Sequence, residues 1–358
     1  MTSETAELGR GRFRFLGFAE PPAATLLDRF DYRPSGAPPL HALEAILFLP
    51  GRRCLYDAQG RRVDVSRPTY IEPGAPAWFN PEKVAEVERV SMPELIEVPD
   101  RLDKIADPVL FVGEVHDHWG HFITDTLARL WALADVDPAT KVLFAPDAGA
   151  RLAVPLVRAL LAAAGVGEDR ILRPQGPTLF ERLLCPAPAL QLSRIYQGFD
   201  DVHRRIAAAL FAASPAVPPT RPVYLTRTRL AQDLRRLKGE QALEQRLERA
   251  GYLVVSPEQL GLAEQMALFN GAAPVVGAFG SAMHTVLFRK AEESQRSATL
   301  FPEKIPPRFM MVDAIKGSEA AYVKCLRSEA PDGSRWRLDP EAAMERLDAA
   351  GLLGGPPS

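Results

Sequence analysis

Cysteine is scarce. The chain has three, Cys54, Cys185 and Cys325, far apart and with no CxxC pair. That excludes a disulfide framework and a thiolate zinc cluster, and it fits a reducing compartment. Long apolar runs are also missing: none approaches the ~20 residues that span a bilayer. The opening residues carry no apolar core with a cleavage signal, so a cytoplasmic protein is expected. Neither sign of charge dominates. With 43 Lys+Arg, 45 Asp+Glu and a formal net charge of -2, nothing draws the chain to nucleic acid in general. There is no GxGxxG and no repeat at a solenoid period. Histidine is sparse as well, at six in 358 residues.

Sparseness makes clustering informative. Three of those histidines, His116, His118 and His121, fall within one short stretch, PVLFVGEVHDHWGHFITDTLARLWALA, at 108–134. Its apolar start reads as a buried strand broken by Gly113. Phe122, Leu127, Leu130 and Trp131 then recur at helical intervals. His121 and Asp125 are four apart, on one face of that helix. Three readings stay open. A histidine with a carboxylate on its ring is a base and its orienting group, since imidazole titrates near neutrality. The H-x-H-x-x-H spacing is that of a metallo-β-lactamase type of hydrolase, although Gly120 stands where that pattern has an acid. Capping and packing is the third.

Along the chain, ALEAILFLP at 42–50 opens a compact unit and Gly60 turns a hairpin between Cys54 and Val65. PPAATLLDRF at 21–30 reads as a short helix, and 79–107 as charged and irregular. Strands follow at 108–112, 141–146, 170–173 and 179–184, with a helix over 151–164 and another over 201–211. Alternating strands and helices predict a mostly parallel sheet. ASPAVPP at 213–219 excludes regular structure and marks the best domain boundary. Strand–helix alternation restarts at Pro222, with strands at 222–226, 252–255, 274–277 and 298–301 and helices at 240–250, 260–269 and from Ser281. That order reads as a Rossmann-like half. The tail is expected to hold a helix around 319–326 and a last one over 340–350.

Two further places carry chemistry. In YLTRTR, Arg227 and Arg229 leave a strand end, where ligands of α/β sheets bind, and guanidinium donors suit phosphate oxygens. The bland alternative is a solvated turn continued by Arg235, Arg236 and Lys238. In VVGAFGSAMH, small residues after a strand allow close backbone approach, and the helix starting near Ser281 offers unpaired N–H groups. A tight strand-to-helix turn would look the same.

Together these stretches resemble the glycosyltransferase 61 family, the DUF563-type group that includes capsular and exopolysaccharide biosynthesis proteins. The first motif stands as HWGHFITDTLARLW, giving His121 and Asp125. The second stands as YLTR and GE, giving Arg227 and Glu240, with Gly239 in the place of an asparagine. The third is GYLVVSPEQLGLAEQMALFNGAAPVVGAFGSAMHTVLF, where Glu258, Glu264 and Gln265 hold the Pro-Glu and Glu-Gln positions. Phe279 replaces the histidine of the family's His-Gly-Ser, and His284 follows five residues later.

The resemblance implies an α/β fold of GT-B type, two Rossmann-like domains facing a cleft, with the C-terminal helices crossing back to the first domain. Its expected divisions are an irregular extension (1–40), an acceptor-side domain (41–212), a nucleotide-sugar domain (213–308) and returning helices (309–358). It implies inverting transfer from a nucleotide sugar, a UDP-sugar before others, to a glycan or other hydroxyl acceptor. No obligatory cofactor or metal is expected. Catalysis is assigned to His121 and Asp125, with His118 in support. The donor is assigned to Arg227, Arg229, Glu240, Glu258, Gly280, Ser281 and His284. Peripheral association with a membrane stays open. Two alternatives remain: an impaired family member that binds a nucleotide sugar or assembles with partners, and a metal-dependent hydrolase on His116, His118 and His121.

Overall fold

The computed structural model describes residues 3–8, 10–18, 31–33, 36–66, 92–191, 194–230, 236–271, 273–290, 295–330 and 335–353. The helix expected at 21–30, the part of 79–107 up to residue 91, and Arg235 lie outside them. By internal contacts the chain divides into two units, Arg33–Ile206, and Met1–Tyr32 together with Ala207–Ser358.

The first unit is built on a sheet ordered Tyr56–Asp57, Leu40–Phe48, Thr178–Pro186, Val109–Gly113, Lys141–Phe144, Ile171–Leu172. From Thr178–Pro186 to Ile171–Leu172 the pairings are parallel, and Leu40–Phe48 closes one side antiparallel. Val109–Gly113 is central and wholly buried, which is why its sequence is an unbroken apolar run instead of an alternation. Phe111, Phe180, Leu183 and Leu143 pack in the core on one face. The helix expected over 151–164 is two pieces, Gly149–Leu152 and Pro155–Ala163. Pro155 is the reason: a proline cannot donate to the preceding turn, but it suits a helix start.

The second unit holds a sheet ordered Ser3–Leu8, Gly11–Leu16, Glu319–Lys324, Arg296–Phe301, Val275–Ala278, Val223–Leu225, Leu253–Val255. Every pairing from Gly11–Leu16 to Leu253–Val255 is parallel. The helix expected at 319–326 is therefore a strand. Its sequence, EAAYVK, favours a helix locally, but Ala320 to Val323 are all buried between two neighbours, and tertiary pairing overrides propensity.

The opening of the chain also differs from expectation. The opening residues contain the hairpin Ser3–Leu8 and Gly11–Leu16. In the second strand Phe13 and Phe15 alternate with arginines, and both phenylalanines pack on Tyr322. By internal contacts the stretch from residue 309 onward groups with the second unit. It contributes Glu319–Lys324 to this sheet, and its last helix, Pro340–Ala349, packs on Glu240–Arg249 through a core that includes Leu347 and Leu243. That helix starts at Asp339, whose side chain accepts from the Ala342 N–H at 3.1 Å. No helix among the described residues is long and apolar enough to cross a membrane.

Candidate functional site

In the first unit, the central strand Val109–Gly113 runs out into the histidine cluster. The helical stretch 119–134 begins at Trp119, widens to π-type turns over Phe122–Thr126 and tightens to 3-10 turns over Leu127–Ala134. Wide turns of this kind are frequent at functional sites. Its inner face is buried along Phe122, Ile123, Leu127 and Leu130, which leaves His121 exposed and Asp125 half-buried. Their side chains meet: His121 Nδ1 lies 2.7 Å from Asp125 Oδ2. The carboxylate draws the ring proton to Nδ1, so that Nε2 carries the basic lone pair. The rings of His116 and His118 each lie 5.3 Å from that of His121. Burial lowers the His116 pKa, opposed by Glu114 and Asp125. Its backbone N–H is tied to Thr126 Oγ1 at 3.0 Å.

The structure adds residues that the sequence did not reveal. Glu114, the first residue after the strand, is buried and accepts from Arg53 Nη2 at 2.8 Å on both oxygens. Arg151 lies 3.7 Å from it and 3.2 Å from Asp147, and His116 Nε2 is 3.9 Å away. The available signal was an acid directly at the C-terminal end of an apolar strand. Among the described residues, no group of three or more His, Cys, Asp or Glu side chains is arranged to hold a metal ion. The metallohydrolase reading has no ligand set there.

In the second unit, the three neighbouring parallel strands Val275–Ala278, Val223–Leu225 and Leu253–Val255 end on one edge of the sheet. Arg227 and Arg229 follow one, Phe279, Gly280 and Ser281 another, and Glu258 the third. Arg227 donates through Nη2 to the Phe279 carbonyl oxygen. A Cβ on Gly280 would run into that same nitrogen, so the glycine leaves room for the guanidinium in this position. The Phe279 ring lies 5.7 Å beneath it, supported by Phe301 and Trp336 at 5.8 and 5.4 Å. Where the histidine of the resembled motif was expected, this chain builds an aromatic floor under Arg227.

Glu240 holds the turn from below. Its Oε1 accepts from the Arg227 N–H at 3.0 Å and from the Tyr224 hydroxyl at 2.9 Å. Its Oε2 is buried with no hydrogen-bond partner. Burial pushes the carboxyl up to about 7, against the pull of the Arg227 N–H and Tyr224. Gly239 before it has φ 91, a left-handed conformation that glycine and asparagine both tolerate. Glu244, one turn on, accepts from Thr226 and Thr228; neither threonine nor this glutamate was singled out from sequence.

The remaining expected residues divide. Arg229 donates to Gln259 at 2.8 Å, beside exposed Glu258. Ser281 opens the helix Ser281–Phe288 with its side chain half-exposed. Glu264 accepts from the Gly261 N–H at 2.7 Å, a helix cap, and Gln265 donates to the Leu260 carbonyl at 3.1 Å. His284 is buried, its ring 4.4 Å from that of Phe309, and lines a small internal cavity with Thr299 and Asp313.

The model of the family described as Glycosyltransferase 61 matches residues 119–297, half of the chain. The chain belongs to the glycosyltransferase 61 family. As a member it is a glycosyltransferase, with a sugar donor and an acceptor. The matched stretch contains His121 with Asp125 and Arg227 with Gly280. Arg53, Glu114, His116 and His118 precede it. Among curated proteins none matches the chain.

Proposed function

We propose that this glycosyltransferase is an inverting enzyme of GT-B type that moves a sugar from a nucleotide-sugar donor to a hydroxyl acceptor, in polysaccharide biosynthesis. The observation that carries the reading is the pairing of Arg227 with Gly280 at the edge of a parallel sheet. A guanidinium and exposed backbone N–H groups at such an edge suit a diphosphate. Arg229, Ser281 and Glu258 border that place. Glu240 keeps the Arg227 turn in shape from the buried side. The nucleotide with which the enzyme works best is proposed to be a uridine diphosphate.

Acceptor activation falls to His121. Asp125 fixes the proton on Nδ1, so Nε2 takes the proton of the acceptor hydroxyl as its oxygen attacks the anomeric carbon. The bond from that carbon to the diphosphate breaks on the opposite face, and Arg227 neutralises the departing charge. No covalent intermediate is required. His118 lines the approach. Phe279 favours a second reading, a member that binds donor without turning it over.

Calorimetry with UDP-, GDP-, dTDP- and CMP-sugars tests the donor. Arg227→Ala should lose about tenfold or more in affinity, because a charge-assisted bond contributes roughly 1.5–3 kcal/mol. No binding by any of the four would overturn the donor assignment. Turnover of His121→Ala should fall by roughly 100-fold with donor binding intact, and Asp125→Asn should be milder. A dead Asp125→Asn beside an active His121→Ala would reverse the two roles. Donor binding without turnover in the unaltered protein would establish the binding-only reading.

A further inference from the structure

His203 is fully buried on the helix Gln197–Ala213, and both of its ring nitrogens face carbonyl oxygens. Nδ1 is 2.7 Å from the Phe199 oxygen, one turn back on the same helix. Nε2 is 2.8 Å from the oxygen of Ile123. A carbonyl oxygen only accepts, and a neutral imidazole has one N–H to give. In either neutral tautomer one of the two contacts would set a lone pair against a lone pair at hydrogen-bonding distance. We propose that His203 is held as an imidazolium whose second N–H pins the Ile123 carbonyl and thereby positions His121 and Asp125.

The nearest neighbours of the ring on its own helix are Asp200 and Phe199. Asp200, three residues earlier on the same helix, is 0% exposed. Its carboxylate pairs with Arg204, whose Nε lies 3.4 Å from Oδ2. The Phe199 and His203 rings stand at a steep angle to each other, with centroids 4.5 Å apart. From the facing stretch 119–134 the charged side chains are Asp125 and Arg129, and Arg129 is committed to the Pro186 carbonyl. With both N–H groups of the charged ring bonded to carbonyl oxygens, the condition for holding a polar group inside a protein is met.

The site of the pin matters. Ile123 lies in the wide turns Phe122–Thr126, between His121 and Asp125. A widened turn has a disturbed hydrogen-bond ladder, and an outside donor that enters it fixes the local path of the backbone. The helix that brings His203 is itself close: a Cβ on Gly198 would lie 3.1 Å from the Cβ of Trp131. His203 is thus a positioning residue, acting through the backbone of the turn. This role rests on the reading of His121 and Asp125 as the acceptor-activating pair. The protonation state of His203 does not.

The experiment is nitrogen-resolved NMR of the histidine rings in the whole protein, titrated upward from about pH 6. His203 should show both ring nitrogens protonated at neutral pH. As it loses its proton at higher pH, the His121 resonances should move with it. In His203→Gln, which keeps one N–H for Ile123 but no charge, the His121 midpoint should shift by about half a unit or more. An unprotonated ring nitrogen on His203 at neutral pH overturns the proposal. A charged His203 whose titration leaves His121 unmoved overturns the positioning role, and the unaltered protein decides this even if the variant does not fold. Failure of the activity assignment would show instead as full turnover in His121→Ala, with the His203 spectrum unchanged.

Discussion

Replacing Glu240 by glutamine should remove a pH dependence of stability that this one carboxyl creates. Glu240 is 1% exposed and its Oε2 has no hydrogen-bond partner. Burial carries its pKa from 4.5 to about 7. In the unfolded chain the group releases its proton near 4.5; in the folded chain it keeps it to about 7. Between those values the folded state binds more protons than the unfolded one, so stability falls as pH rises across that window and levels off above it. At 1.36 kcal/mol per unit, the loss is about 3 kcal/mol. The glutamine side chain of Glu240→Gln would accept from the Arg227 N–H and the Tyr224 hydroxyl as the carboxylate does, but it cannot ionise. Its amide nitrogen takes the unpartnered place, which sets a constant offset of roughly 1–3 kcal/mol. The decisive quantity is therefore the difference between Glu240→Gln and the unaltered protein as a function of pH, from urea unfolding at about pH 5, 6, 7 and 8. That difference should move by about 3 kcal/mol in favour of the variant. Asp313, pushed up to about 6 by burial, slopes the same way in both proteins and cancels. Parallel curves would mean that Glu240 ionises normally and the argument from its burial is wrong.

Gly280→Ala places a methyl against Arg227 Nη2; the guanidinium must move, and donor affinity measured by calorimetry should fall about tenfold with little change in unfolding midpoint. Phe279→His removes a benzyl ring that stacks on Phe301, meets Trp336 edge-to-face and lies under Arg227, and should cost roughly 1–3 kcal/mol in urea unfolding while changing turnover more than donor affinity. Arg53→Met leaves buried Glu114 without its two 2.8 Å bonds; stability should drop by roughly 3 kcal/mol, read from the same unfolding curves.

The parts of the site legible in the sequence are those fixed by local geometry. The spacing of His121 and Asp125 forces a shared helix face, and the two side chains do bond. Arg227 and Gly280 each follow an apolar strand, and parallel pairing of those strands puts both on one edge. Glu114 and Arg53 were not legible, since 61 residues separate them and nothing local joins them. Nor does anything local join His203 to Ile123, 80 residues earlier. The fold was legible where patterns were long and failed where position in the sheet decides. EAAYVK becomes a strand because a gap between two strands receives it. GRFRFL carries a plain period of two, but its partner strand lies about 300 residues away.

That last pairing has a consequence for biosynthesis. Arg12 to Leu16 pair with Glu319 to Val323, so the second unit is made of the first and the last parts of the chain, with the first unit spliced between them. At about 5–20 residues per second, the opening hairpin leaves the ribosome roughly 15–60 s before its neighbouring strand exists. During that interval Phe13 and Phe15 lack their parallel neighbour, while Arg33–Ile206 becomes complete enough to fold. The order of assembly is thus reversed with respect to the order of synthesis: the insert closes first, and the unit that opens the chain closes last.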